Sequence, residues 1–362
     1  MIDAGSILNY FSRQTKMAEI GVEGQIALQQ SSVLLIGAGG LGCPVAQYLG
    51  GAGIGKLALM DFDTIDESNL HRQLLYQYAD IGKLKTEVAA ERLTKQFPHS
   101  SFISIPNALD KQNALELFKV YDIIVDCTDS ISARYLINDA CFLLDKPWIY
   151  GSVNGFSGQW AVFNHPQNKV QYRDLFPIPP NASEMVNCNV NGTVGVVPGF
   201  TATMQATECI KYILQLSKTG FLHTLDALEN RFYSLKLATK IHENQPKTQT
   251  DFLQFSYPEY CGETNQMEIT PKALLELVKI QNVWIIDVRD EDEMPVCTIK
   301  NTIHIPLKLL EIANLEIPDS GIAVTLCQTG IRSLKAQKIL QLKYPKIQIL
   351  NLKGGMDQLK LK

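Results

Sequence analysis

The stretch SVLLIGAGGLGCPVAQYL, residues 32–49, determines the fold of the first part of the chain. Its apolar start predicts a buried strand over 32–37, and a helix is expected over 40–51. Gly37, Gly39 and Gly42 stand between the two in a G-x-G-x-x-G pattern. Glycines at such a turn allow close backbone approach, and the helix that follows presents free N–H groups to phosphate. The stretch therefore predicts a nucleotide-binding βα unit.

The sequence that follows continues to alternate between strand and helix. Further strands are predicted at 56–61, 102–105, 122–126 and 147–151, and helices at 85–96 and 133–144. This alternation predicts an α/β fold with a Rossmann-like, doubly wound, largely parallel sheet.

The pattern changes from residue 158 onward. Short strands, a Pro- and Asn-rich loop at 176–192, a helix at 201–216 and two strands within 222–237 predict an antiparallel extension of the sheet. We expect a polar, irregular connection at 242–250, followed by a second, smaller α/β unit that begins near residue 267.

Composition limits the class of protein. A chain of 362 residues is long for one core, so two domains are expected. A net charge of −4 without a basic cluster gives no electrostatic case for nucleic acid. The charge-free stretch 33–55 contains several glycines and Pro44, which favours a buried βαβ start over a membrane span. No secretory signal is visible and the eight cysteines lack a disulfide framework, so we expect a cytoplasmic protein without membrane contact.

The identity of the nucleotide depends on residues outside the glycine turn. Asp61, about twenty residues after the turn, could bind ribose, and with the turn alone it favours a NAD or FAD enzyme. Asp63 and Asp129 add carboxylates, and Arg72 and Lys85 add cations. Cations close to a carboxylate-rich site suit a triphosphate with Mg²⁺ better than a dinucleotide. An NAD-dependent oxidoreductase stays open as the alternative.

At these residues the chain resembles the MoeB/ThiF family, the bacterial relatives of ubiquitin-activating enzymes. The resemblance covers about residues 8–263 and rests on an ordered set of motifs: SRQ at 12, GVEGQ at 21, GAGGLGCP at 37, DFD at 61, SNLHRQ at 68, DCTD at 126, LFP at 175, VGVVPG at 194 and QATE at 205. It implies a first domain over residues 1–263 that adenylates the C-terminal Gly-Gly carboxylate of a small ubiquitin-like sulfur carrier.

The resemblance also implies roles for individual residues. Gly39 and Gly40 would approach the phosphates, Arg72 and Lys85 would offset phosphate charge, and Asp129 would hold Mg²⁺. Arg13 would reach the site from a second subunit, which implies a homodimer. The full set of nucleotide-site residues carried over is Arg13, Gly37, Gly39, Gly40, Gly42, Asp61, Asp63, Asn69, Arg72, Gln73, Lys85, Asp129 and Ser130.

The cysteines of this domain fall into two groups. Cys188 matches the family cysteine that can link covalently to the carrier, and whether it does so here stays open. The second group, Cys43, Cys127, Cys141 and Cys209, lies among apolar residues. These cysteines are expected to be small buried side chains without a chemical role.

Many family members also bind structural zinc through two C-x-x-C pairs. Here those positions are occupied by Gln171, Asp174, Pro258 and Cys261. One thiolate cannot hold a tetrahedral zinc, so no zinc is predicted.

The C-terminal segment, about residues 267–362, resembles a single rhodanese domain. The resemblance rests on VWIIDVRDEDE at 283, IHIPL at 303, CQTGIRS at 327 and LKGGM at 352, whereas CTIKNT at 297–302 departs from the family's G-H-I-x-G-A. Cys327 is expected to end a strand and to face a helix N-terminus and Arg332, which would lower its pKa and stabilise a persulfide. Four residues separate Cys327 from Arg332, one fewer than in the phosphate loop of tyrosine phosphatases, which favours sulfur.

Together the two resemblances predict a nucleotidyltransferase with sulfurtransferase activity. ATP and Mg²⁺ would activate the carrier, a cysteine desulfurase or another donor would load Cys327, and a thiocarboxylated carrier would result. The product would serve molybdopterin or thiamine synthesis. The alternatives are an NAD-dependent oxidoreductase with an appended sulfurtransferase, a non-catalytic scaffold, and adenylation of another carboxylate substrate.

Overall fold

The computed structural model describes residues 9–179, 192–261, 268–291, 293, 296–310, 312–315, 317 and 321–359. The chain divides into two compact units, Met1–Glu263 and Thr264–Lys362. Each unit is built around its own sheet.

The first unit contains an eight-stranded sheet in the order β3-β2-β1-β4-β5-β6-β7-β8. The strands are β1 Ser32–Ile36, β2 Lys56–Met60, β3 Ser101–Ile105, β4 Ile123–Asp126, β5 Trp148–Asn154, β6 Ser157–Phe163, β7 Phe221–Asp226 and β8 Arg231–Lys236. β1 to β5 run parallel, and β6, β7 and β8 are added antiparallel. The predicted doubly wound sheet with an antiparallel extension is confirmed.

Helices cover both faces of this sheet. They are α1 Gly21–Gln30, α2 Gly42–Ala52, α3 Lys85–Gln96, α4 Lys111–Val120, α5 Ile131–Leu143, α6 Tyr172–Leu175, α7 Val196–Ile213, α8 Gln249–Gln254 and α9 Tyr257–Tyr260. Helix α4 was not predicted from the sequence. The predicted start of α7 at residue 201 was too late, because Pro198 is tolerated in the first turn of the helix, where its missing N–H has no helical partner.

Alternate residues of the central strand face two separate cores. Val33 and Leu35 pack with α2 and α7 on one face of the sheet. Leu34 and Ile36 pack with α4 and α5 on the other face. This period of two explains why β1 reads as an uninterrupted apolar run.

Strand β8 stands at the end of the strand order and is exposed along its length. Phe232, Tyr233 and Leu235 are 61%, 52% and 57% exposed. Charged residues stand at both ends of the strand, Arg231 and Lys236.

The second unit contains a five-stranded, all-parallel sheet in the order β11-β10-β12-β13-β9. Its elements are β9 Glu268–Ile269, α10 Pro271–Ile280, β10 Val283–Asp287, β11 Thr302–His304, β12 Ile322–Leu326, α11 Ile331–Lys343, β13 Gln348–Leu352 and α12 Gly355–Gln358. Within the described part of either unit, we find no helix with the length and hydropathy needed to cross a membrane.

Candidate active site

A cavity of about 770 Å³ lies in the first unit where β1, β2 and β4 end. Its volume falls in the range of small-molecule sites, and its place at the carboxyl edge of a doubly wound sheet is where such folds bind ligands. The predicted residues that line it are Gly37, Gly39, Gly40, Asp61, Asp63, Asn69, Arg72, Gln73, Lys85, Asp129 and Ser130. Residues far apart in sequence are therefore brought to one site.

The glycine turn needs its glycines for two different reasons. Gly37 has a φ of +101°, and a Cβ there would lie 2.6 Å from the carbonyl oxygen of Cys127. Gly42 is buried in the first turn of α2, where a Cβ would lie 2.0 Å from the carbonyl oxygen of Gly37. Gly42 is not among the cavity-lining residues, so it serves packing, whereas Gly39 and Gly40 form part of the wall.

Asp61 is fixed directly after β2. One carboxylate oxygen accepts a hydrogen bond from the backbone N–H of Ala38 at 2.8 Å, and the other accepts from the N–H of Asp63 at 2.8 Å. The first bond ties the acid to the glycine turn itself. A carboxylate held at this place has lone pairs left for ribose hydroxyls.

Lys85 and Arg72 bring positive charge to the wall of the cavity. The ammonium of Lys85 is 2.9 Å from a carboxylate oxygen of Asp63, and its side chain is 6% exposed against 53% for Asp63. Arg72 donates to the carbonyl of Ser68 at 2.9 Å. Gln73 is buried beside them, and its amide oxygen has no hydrogen-bond partner among the described residues. Lys85, Arg72 and Gln73 therefore offer two cations and one free acceptor to a ligand.

The loop that carries Asp129 is held by a pair of buried charges. Asp126 accepts a hydrogen bond from the N–H of Thr128 at 2.9 Å, and Arg134 donates to the carbonyl of Thr128 at 2.7 Å. Nε of Arg134 is 3.4 Å from a carboxylate oxygen of Asp126. Burial raises the pKa of Asp126, and the guanidinium opposes that rise. Fixing both sides of Thr128 sets the direction in which Asp129 enters the cavity.

Arg134 was not predicted as a site residue, although it lines the cavity. Its position in the first turn of the helix that follows DCTDS is the sequence feature that could have identified it. Ser130 caps the same helix, because its hydroxyl oxygen accepts from the N–H of Ala133 at 3.2 Å.

Besides Gly42, two predicted residues of the first unit are not placed in the cavity. Arg13 is exposed in a turn ahead of α1 and does not line it, so its contribution from a second subunit stays a prediction. Cys188 lies outside the described residues.

The other cysteines of the first unit are core residues, as predicted. Cys43, Cys127, Cys141 and Cys209 are at most 7% exposed. Burial raises the pKa of Cys43 to about 12, so its thiol stays protonated.

The four positions that correspond to the zinc-binding cysteines of other family members, Gln171, Asp174, Pro258 and Cys261, belong to a hydrogen-bonded cluster or lie beside it. A carboxylate oxygen of Asp174 is 2.8 Å from Nε2 of His242, and the amide oxygen of Gln171 accepts from Gln245 at 2.7 Å. Cys261 is buried. Within the described ranges, no group of three or more His, Cys, Asp or Glu side chains is placed to hold a metal ion.

A buried ion pair forms the centre of this cluster. Arg173 donates two hydrogen bonds to Asp139, at 2.8 Å and 2.7 Å, and both side chains are at most 1% exposed. Tyr257 donates to Asp139 at 2.9 Å, and Arg173 donates to the hydroxyl of Tyr260 at 2.9 Å. We call the set the anchoring cluster: Asp139, Gln171, Arg173, Asp174, His242, Gln245, Tyr257 and Tyr260.

Residues 242–250 were predicted to form a polar, irregular connection, and residues 242–248 form no helix or strand, whereas α8 begins at Gln249. The sequence did not indicate that the side chains of His242 and Gln245 are largely buried. Tyr257 and Pro258, which follow, line the nucleotide cavity. This segment is therefore part of the site.

The candidate sulfur site lies in the second unit, where β12 ends. Cys327 is fully buried, and its sulfur accepts hydrogen bonds from the N–H of Gly330 at 3.2 Å and the hydroxyl of Ser333 at 3.3 Å. Gly330 has a φ of +93°, which turns the loop back before α11 begins at Ile331. The sulfur therefore lies among hydrogen-bond donors at the start of α11.

Arg332 is paired with a residue that the sequence analysis did not single out. Its two terminal nitrogens each lie 2.6 Å from a carboxylate oxygen of Glu293. The guanidinium lowers the pKa of Glu293 to about 2.

The LKGGM motif closes the other side of the sulfur loop. The N–H of Met356 donates to the carbonyl of Cys327 at 2.8 Å, and a Cβ on Gly355 would lie 2.2 Å from that oxygen. Only glycine fits there.

Comparison with known proteins assigns both units. The chain belongs to the ThiF family, whose model matches residues 11–247, and it carries a rhodanese-like domain at residues 270–362. It is similar to the adenylyltransferase and sulfurtransferase MOCS3 of Xenopus laevis, 37% identical over 92% of this chain and 81% of that one. For MOCS3 of Drosophila grimshawi the identity is 34%, over 96% and 82%. The chain is thus an enzyme with adenylyltransferase and sulfurtransferase units.

Solved structures share the fold of the first unit. Escherichia coli MccB with ATP has a TM-score of 0.54 and 24% identity over 64% of this chain and 72% of its own. PaaA has a TM-score of 0.55 and 20% identity over 65% and 75%.

Proposed function

We propose that the first unit uses ATP and Mg²⁺ to adenylate the C-terminal Gly-Gly carboxylate of a ubiquitin-like sulfur carrier, and that Cys327 then supplies sulfur to the adenylate. The observation that carries the proposal is one cavity that combines the glycine turn with Lys85, Arg72 and Asp129. The buried cysteine loop in the same chain accounts for the second step. The names of the relatives from Xenopus and Drosophila fit both activities, and MccB, which shares the fold, has been solved with ATP.

In the first step a carboxylate oxygen of the carrier attacks the α-phosphorus of ATP, and the bond to pyrophosphate breaks. The reaction brings anions together, so preorganised cations contribute most of the rate enhancement. Lys85 and Arg72 supply them from the wall, and Asp61 holds the ribose so that the α-phosphate faces the carrier tail.

The residues of the cavity fit a magnesium ion. Mg²⁺ binds through one or two carboxylates together with substrate phosphates, and Asp129 offers one carboxylate on a fixed loop. The free amide oxygen of Gln73 is a second oxygen on the same wall. When bound, the ion would neutralise charge that develops on the phosphates.

In the second step the terminal sulfur of a Cys327 persulfide attacks the acyl carbon and AMP leaves, which forms an acyl disulfide. A second thiol then attacks the sulfur of Cys327, the carrier thiocarboxylate leaves, and a disulfide remains that a cellular dithiol reduces. Cys188 is the candidate for that thiol within the chain. A cysteine desulfurase or another donor reloads Cys327, and the carrier serves molybdopterin or thiamine synthesis. Arg13 from a second subunit would complete the nucleotide site of a homodimer.

The test is pyrophosphate exchange into ATP by the purified chain, with carriers that end in Gly-Gly added in turn. We expect exchange that depends on one carrier, is lost in Asp129→Ala and is retained in Cys327→Ser. The Cys327→Ser variant should fail to form thiocarboxylate. Absence of ATP binding together with NAD binding would instead support the oxidoreductase.

A further inference from the structure

An ion pair in the second unit joins Arg332 to Glu293, a residue without an assigned role. Two parallel hydrogen bonds of 2.6 Å make the pair bidentate, which is the geometry that fixes a guanidinium most firmly. The side chains are 35% and 27% exposed, so solvent screens the pair only in part. Asp290 adds a longer contact of 3.6 Å to Arg332.

Arg332 is also the cation of the sulfur loop. It stands five residues after Cys327 and one residue before Ser333, which donates to the sulfur. The hydrogen bonds to Glu293 raise the pKa of Arg332, and the negative charge of a Cys327 thiolate acts in the same direction. The guanidinium of Arg332 therefore interacts with two anionic groups: the carboxylate of Glu293, which is always charged, and the sulfur of Cys327 when it is ionised.

The remaining charges around the loop are paired elsewhere. The charged groups with described side-chain contacts on the segments that flank the loop are Asp287, Arg289, Asp290, Glu293, Lys308, Arg332 and Asp357. Arg289 forms a bidentate pair with Asp287, and its nearest contact is 2.7 Å. Gln328 lies between Arg289 and Asp357, accepting from the first and donating to the second. Arg332 is thus the cation of the loop whose charge interacts with that of Cys327, and Glu293 is its bidentate partner.

We propose that Glu293 is a positioning residue of the sulfur site, which holds Arg332 beside the loop and neutralises much of its charge, so that Cys327 is less reactive while no anionic substrate is bound. The inference rests on the proposed sulfur transfer at Cys327. An arriving anion, such as a sulfur donor or the phosphate of an acyl adenylate, competes with Glu293 for the guanidinium. The site would then gain positive charge only when it is occupied.

The first test measures the pKa of Cys327 from the pH profile of its alkylation by iodoacetamide in the full-length chain. In Glu293→Gln, which keeps the shape of the side chain and removes its charge, the pKa is expected to fall by roughly half a pH unit to one pH unit. In Arg332→Met it should rise. Glu291→Gln, the same charge change at an exposed position two residues away, is the matched control and should leave the profile unchanged.

The second test measures loading of the sulfur. Thiosulfate is the probe: the Cys327 thiolate attacks its outer sulfur, sulfite leaves, and a persulfide forms. A fall of half a pH unit to one pH unit in the pKa of Cys327 would raise its thiolate fraction about three- to tenfold at neutral pH. A more acidic thiol is also a weaker nucleophile, which offsets part of this increase. Persulfide loading is therefore expected to be about two- to threefold faster in Glu293→Gln. A faster variant cannot be explained by misfolding.

The outcomes separate this inference from the proposed function. An unchanged Cys327 pKa in Glu293→Gln, or slower loading, would overturn the inference and make the pair a surface ion pair only. If Glu293→Gln shows the lower Cys327 pKa and faster loading but the parent chain sulfurates no carrier, the inference stands and the proposed function is refuted.

Discussion

Replacing Arg173 with methionine tests whether the anchoring cluster holds the wall of the nucleotide cavity. Arg173 and Asp139 are 1% and 0% exposed and share two hydrogen bonds. Breaking such a pair by removing one partner costs about 3–5 kcal/mol, because a carboxylate stays buried without its counter-charge. Asp139 would keep the hydroxyl of Tyr257 at 2.9 Å and the amide of Gln245 at 3.2 Å. We therefore expect the lower end, about 3 kcal/mol.

The assay is urea unfolding followed by tryptophan fluorescence in a Trp284→Phe background, so that Trp148 and Trp160 report on the first unit alone. A loss of that size lowers the midpoint by roughly 1–1.5 M urea. Lys95→Met, which removes a lysine with a 73% exposed side chain, is the control and should stay within about 0.5 kcal/mol of the parent.

Two further measurements decide the interpretation. Adding Asp139→Leu to Arg173→Met should recover part of the loss, because no unpaired charge stays buried. ATP should also bind more weakly to Arg173→Met, since Tyr257 and Pro258 line the cavity. If the single variant unfolds at the parent midpoint, the buried pair does not anchor the segment and the reasoning is wrong.

Three other predictions concern the nucleotide site. Lys85→Met should lower the rate of pyrophosphate exchange about 10²- to 10³-fold, which is the usual cost of losing one preorganised charge. Asp63→Asn removes the exposed carboxylate that pairs with Lys85 and should lower the rate far less. Equal losses in the two variants would show that the ion pair matters rather than the cation. Gly42→Ala should fail to fold normally, because its Cβ would lie 2.0 Å from a carbonyl oxygen. In Gly39→Ala the Cβ would lie 3.4 Å from the nearest atom, so this variant should fold and bind ATP less well. Circular dichroism checks the folding of both variants, and ATP titration checks their binding. Arg134→Lys should raise the Mg²⁺ concentration needed for half-maximal exchange, because a lysine cannot pair with Asp126 and hold the neighbouring carbonyl equally well; an unchanged requirement would remove Arg134 from the positioning of the loop.

The parts of the fold that could be predicted from sequence are those with local signals. The glycine turn, the apolar run of β1 and the alternation of strand and helix each specify structure within about ten to twenty residues. Helix α4, Lys111–Val120, was missed although Asp110 caps it, with its side chain accepting from the N–H of Asn113 at 2.8 Å. This N-cap and the amphipathic stretch that follows it are the local signals from which the helix could have been predicted.

The features that could not be predicted depend on partners distant in sequence. His242 and Gln245 look like linker residues, and they are buried only because Asp174 and Gln171 on another part of the chain bond to them. Glu293 gains its role from an arginine 39 residues later. Arg134 follows a recognised motif, but only the fold shows that its guanidinium turns back to the loop before it. Spacing alone carries none of these pairings.

The exposure of β8 has a consequence for the behaviour of the chain at high concentration. A strand at the end of a sheet offers free backbone groups to any other strand, and aromatic side chains on it strengthen edge-to-edge pairing between molecules. Phe232, Tyr233 and Leu235 make this strand such a template. Arg231 and Lys236 at its ends act as gatekeepers against that pairing. Replacing either charge with a neutral residue would therefore favour aggregation without altering the folded structure.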